Sequence, residues 1–151
     1  RFVNKRFKKI FERGSLEGKF FITFNIFRYV EMFSHNLAEQ VIYSGAIQDK
    51  ARHISYGLEH LRYAVASQED KPLVFESLLN IGENIFLKEI SEPVVLEPMA
   101  VIFGGGVEKA AAGMKTVEKM MGDFVNQYID SLKWIGIDRS LSLSGGLASY
   151  R

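Results

Sequence analysis

The segment Gln48-Asp49-Lys50-Ala51-Arg52-His53-Ile54-Ser55-Tyr56-Gly57 concentrates chemistry: three charged side chains and a histidine occupy five consecutive positions. Helix interiors seldom need that. Lys50 and His53 lie about one turn apart on a helix and share a face. Glu39, Ala46, His53 and His60 recur every seven residues along nearly the same stripe. A polar stripe on a long inner helix is where helical bundles place metal ions. The chain contains no cysteine. Disulfides, thiolate metal sites, cysteine nucleophiles and iron–sulfur clusters are thereby excluded from it, and any metal must be held by histidine and carboxylates.

The elements that must position these residues are helices. Ser34, His35 and Asn36 form a polar break, and from Leu37 to Ala66 the chain runs without proline and with only Gly45 and Gly57 interrupting it. A helix of that length spans about 45 Å, which is bundle length. Upstream, Ser15 is a candidate N-cap for a helix from Leu16 to Phe33, whose Phe20, Phe21, Phe24, Phe27 and Phe33 crowd one broad side that must be buried. Pro72 suits the first turn of a third helix ending near Ile90. Pro93 and Pro98 are expected to divide the next stretch into short turns, and Gly104-Gly105-Gly106 marks a bend. A phosphate-loop reading of those glycines is set aside, because neither the Lys-Ser/Thr pair nor a preceding strand is present. A last long helix is predicted over Val107 to Trp134, with Val117, Met121, Phe124, Tyr128 and Leu132 on its buried stripe and Gly136 as C-cap. No alternating strand pattern and no internal repeat appear. The fold class is all-α. The expected organisation is a basic amphipathic segment over 1–14, a helical bundle domain over 15–137 and a loose tail over 138–151.

Composition narrows the function classes. Nineteen basic and eighteen acidic residues leave a net charge of +1, so the whole chain has no general pull towards nucleic acid or acidic lipid. Residues 1–13 hold six basic residues and one acidic one, with Phe2, Val3, Phe7, Ile10 and Phe11 at roughly helical spacing. Such a segment suits a membrane surface or a partner, but a short helix packed on the bundle is the reading adopted. No apolar run approaches the roughly 18 residues of a transmembrane helix, and a cytoplasmic location is expected. The chain opens on Arg1 rather than Met, which leads to the expectation that it is processed, truncated or part of a longer sequence.

With Asp49, Arg52 and His53 in this order, the segment resembles the ligand-bearing helix of the ferritin-like diiron-carboxylate proteins, which reads Asp-Glu-x-Arg-His. The following Ile54-Ser55-Tyr56-Gly57 is similar to the family's continuation. The resemblance implies a ferritin-like helical bundle, of which this chain would be the second half, and an oxidase or oxygenase using iron or manganese. It implies that His53 is a metal ligand, that Glu17, 33 positions before Lys50, is the glutamate of the preceding helix, and that Asp49 and Arg52 support the ligands from behind. Position 50 departs from the pattern. The family has Glu there, whereas Lys50 carries an amine with a reference pKa near 10.4 that cannot coordinate iron while protonated. It would act as a charge or a proton donor, and Glu17 is the candidate to pair with it. The chain also lacks a second Glu-x-x-His. Two functions follow: a ferritin-like oxidoreductase with an altered or incomplete site, or a metal-free, non-catalytic subunit closed by a Lys50–Glu17 ion pair. Either way a half bundle would leave a long apolar face exposed, so a homo- or hetero-oligomer, or completion by a further segment, is expected.

Overall fold

The computed structural model describes residues 21–66, 71–140 and 145–150 of the 151-residue chain. Those residues are all-α. Helix α1 covers 21–33, α2 Leu37–Ala66, α3 Lys71–Ile90, α4 Pro93–Gly104, α5 Ala110–Trp134 and α6 Gly145–Ala148, with a single 3-10 turn at Val107–Lys109 before α5.

The break at 34–36 ends α1 and starts α2 by defined bonds. The Ser34 amide donates to the Val30 carbonyl at 2.8 Å, closing α1. Asn36 caps α2, its Oδ1 accepting from the Ala38 amide at 2.9 Å, as an N-cap side chain does for one of the unpaired first-turn amides. At the far end of α5, Gly136 takes a left-handed backbone (φ 94°), and the Gly136 and Ile137 amides return to the Lys133 and Leu132 carbonyls at 3.0 and 2.9 Å. This is the paired-bond helix stop that favours glycine.

Helix α5 is the hub. Val117, Met121, Phe124 and Leu132 of the predicted stripe lie buried along it, with Met120 and Val125 buried beside them and Tyr128 partly buried. Helix α1 meets it through Tyr29 and Asn25, and α3 through Phe86, whose ring lies 5.0 Å from that of Phe124. Helix α4 crosses α5 at backbone contact. A Cβ on Gly113 would sit 1.8 Å from the Ala100 carbonyl oxygen, so only glycine permits this approach. Helix α2 packs on α1 through Tyr43 and Phe27, with ring centroids 5.5 Å apart, and reaches the end of α5, where Arg62 lies over the Trp134 ring at 4.9 Å.

Two expectations are corrected. The stretch from Pro93 is one twelve-residue helix rather than short turns. Pro93 stands in its first turn, where the missing N–H costs nothing, and Pro98 forfeits a single intrahelical bond. Burial of Met99, Ala100 and Phe103 offsets that loss, and Gly105 in the left-handed conformation ends the helix. The segment after Asp138, expected to be loose, carries two of the best-buried side chains among the described residues, Arg139 and Leu147. Gly146 lets α6 come close to α3, since a Cβ there would lie 2.2 Å from a Leu87 methyl.

Candidate functional site

Asp49, Lys50, Arg52 and His53 all lie mid-way along α2. The Asp49 carboxylate is held from two sides: Arg52 Nη2 donates to Oδ1 at 3.2 Å, and His53 Nδ1 lies 3.6 Å from Oδ2. All three side chains are at least half exposed, with Arg52 at 76 %. Lys50 is partly buried. Glu17 lies outside the described residues.

The polar stripe does not face inward. Helix α2 rotates about 100° per residue, and its inner side is set by Ile54 and Gly57, both buried, with Leu58 packed on the core. Glu39, His53 and His60 fall on the solvent side. Glu39 accepts from the Ser34 hydroxyl at 2.7 Å, which ties it to the α1–α2 connection. His60 Nδ1 is within hydrogen-bonding distance of the Tyr56 carbonyl at 3.0 Å, with the two rings 4.2 Å apart. Tyr43 packs on Phe27 and Tyr56 points to solvent, so neither is enclosed with His53.

Among the described residues, no three His, Asp or Glu side chains converge as a metal site requires. Asp49 and His53 are two candidate donors, 3.6 Å apart and both about half exposed, and the adjacent Lys50 brings an amine that cannot coordinate iron while protonated. This donor set does not fit a dinuclear iron centre.

Sequence reasoning missed two polar clusters. In the first, Glu83 on α3 and Arg139 beyond α5 form a buried pair: Nη2 donates to Oε2 at 2.6 Å and Nε to Oε1 at 3.1 Å. The Tyr128 hydroxyl donates to the same Oε1 at 3.0 Å, and Arg139 Nη2 also donates to Asn80 Oδ1 at 2.6 Å. Burial, then the adjacent Glu83 charge, pushes the Tyr128 hydroxyl well above its ordinary range, so it remains a donor at neutral pH. The available signal was Glu83 as the one charged residue between Leu78 and Phe86, a stretch that also holds Leu79, Ile81 and Ile85. The second cluster lines a cleft of about 620 Å³ between α1, α2 and α5, including Asn25, Arg28, Asp123, Gln127 and Asp130. There the Tyr29 hydroxyl donates to Asp123 Oδ2 at 2.5 Å, and Asn25 Nδ2 to Gln127 Oε1 at 2.8 Å.

Tyr29 makes a pH prediction. Its burial, followed by the bond to Asp123, pushes its pKa up from 10.0 to about 12. Because the folded state holds the proton more tightly, the stabilisation is complete below pH 10 and is lost as pH rises towards 12. Denaturant unfolding between pH 9 and 12 should therefore show stability falling with pH, and Tyr29→Phe should flatten part of that slope, at a cost of about 1 kcal/mol at neutral pH.

Comparison with protein-family models, with curated proteins and with solved structures finds no match to this chain.

Proposed function

We propose that this chain is a ferritin-like helical protein related to the diiron oxidases and oxygenases, in which the metal centre has been altered, and that it works as a non-catalytic subunit of a larger assembly. The observation that carries this reading is the state of the motif on α2. Asp49, Arg52 and His53 keep the family's order, yet the carboxylate is occupied by its own helix neighbours and Lys50 stands where a ligand is needed. A cation placed beside that ammonium would meet repulsion unless a carboxylate compensates, and Glu17 is the residue proposed to do so. In this reading the motif's polar side chains serve a contact surface.

The contact of Asp49 with both Arg52 and His53 also favours a second reading. The trio would still brace a working centre, with Glu17 and His53 as ligands of iron or manganese, Asp49 and Arg52 behind them, and Lys50 supplying a charge or proton. The remaining donors would have to come from another segment or chain.

Elemental analysis after anaerobic loading and desalting separates the two. The native chain is expected to retain well under one iron or manganese per chain, and Lys50→Glu to retain more. Stoichiometric metal on the native chain would establish the second reading instead.

A further inference from the structure

The solvent side of α2 is patterned as a seam. Positions 38, 42, 45, 49, 52, 56, 59 and 63 follow alternating steps of four and three residues, the spacing by which one helix presents a continuous edge to another. All eight are exposed along the 30-residue helix. The large side chains on it lie strongly open: Ile42 is 67 % exposed, Tyr56 65 % and Tyr63 79 %, with Val41 beside them at 66 %. A seam that exposes two tyrosines and an isoleucine over several turns has the composition of an interface rather than of a solvated face.

The order of residues along the seam selects the occupant. We infer that it pairs with the same helix of a second copy, antiparallel, about a twofold axis passing between positions 50 and 51. That register sets Asp49 against Arg52 of the second copy, and by symmetry Arg52 against its Asp49, so two complementary charges meet where two identical surfaces would otherwise repel. It sets Tyr56 against Gly45, which has open space around it, with no atom within 4 Å of where a Cβ would lie. It sets Tyr63 against Ala38. Each large ring thus meets a small residue, as closely packed helices require. Ile42 falls against Glu59, whose methylene stem covers it while Arg62, 3.7 Å from the carboxylate, holds the charge to the edge. A parallel pairing has none of these features, since it sets Asp49 on Asp49 and Tyr56 on Tyr56.

This pairing rests on the subunit reading above and names its partner, yet the two fail separately: stoichiometric metal on the native chain removes the reading, whereas the experiment below removes the pairing. The chain has no cysteine, so an introduced pair reports alone. Under mild oxidation Gly45→Cys/Tyr56→Cys is expected to give a disulfide-linked dimer, and its two thiols lie about 16 Å apart along one helix, too far to close within a copy. Gly45→Cys by itself is expected to remain unlinked. Sedimentation of Asp49→Arg and of Arg52→Asp should show the dimer dissociation constant raised at least tenfold in each, and Asp49→Arg/Arg52→Asp should return it close to the native value. Circular dichroism of these surface variants checks that the helices persist. A link formed through Gly45→Cys alone, no link in the double cysteine variant, or single charge reversals that leave association unchanged would each overturn the antiparallel pairing.

Discussion

Arg139→Met is expected to destabilise the protein by about 3–5 kcal/mol, the largest effect of any single change at a polar residue here. The guanidinium and the Glu83 carboxylate are both at most 2 % exposed. Taking such a pair out of water costs nearly what their attraction returns, so the intact pair contributes little net stability. Removing one member leaves the other's charge buried without its partner, and that cost is not offset. Glu76, whose Oε1 lies 3.8 Å from Arg139 Nη1, would lose its cation as well, but at 47 % exposure it is solvated and adds little. Glu83→Met/Arg139→Met, which removes both charges, should therefore recover most of the stability that Arg139→Met loses. Urea unfolding followed by circular dichroism checks both, and a double variant as unstable as the single one would show that the loss comes from packing of the arginine rather than from the orphaned charge.

Gly113→Ala is expected to cost about 3 kcal/mol, towards the upper end for overpacking a core. Elsewhere in a helix the same change is stabilising, because alanine is the better helix former by about 1 kcal/mol. Here the added methyl would meet the Ala100 carbonyl at 1.8 Å and the Gly104 amide nitrogen at 2.6 Å. Both are backbone atoms that no rotamer change can move aside. Helices α4 and α5 would have to separate, opening gaps around Met99, Phe103 and Val117, which are buried in the same core. Thermal unfolding should therefore show a markedly lower melting temperature for Gly113→Ala, and an unchanged melting temperature would show that α4 and α5 part without loss of packing.

How much of this was legible in the sequence depends on the range of the interaction involved. Helix α2 runs from Leu37 to Ala66 as expected, because its boundary signals are local: a capping Asn36, no proline, and glycines too sparse to break thirty residues. The buried stripe of α5 and its stop at Gly136 were legible for the same reason. Helix α4 was misread because Pro98 argues locally against a helix, while the burial that outweighs it comes from α5, a tertiary partner the local pattern does not show. The orientation of α2 was misread for a related reason. Its apolar residues fall on both sides, Ile54 and Leu58 inward and Val41, Ile42, Tyr56 and Tyr63 outward, so periodicity alone could not decide which side meets the core. Asp49, Arg52 and His53 were found as a group, and they do touch, but on the open face of the helix. The Glu83–Arg139 pair spans 56 positions and leaves no local trace beyond one charge between Leu78 and Phe86.

The central claim is that the motif-bearing face of α2 is a contact surface between subunits. Light scattering coupled to size exclusion tests it most directly on the native chain at tens of micromolar. A mass of twice 17.2 kDa is the predicted result, and a stable monomer of 17.2 kDa would contradict the account.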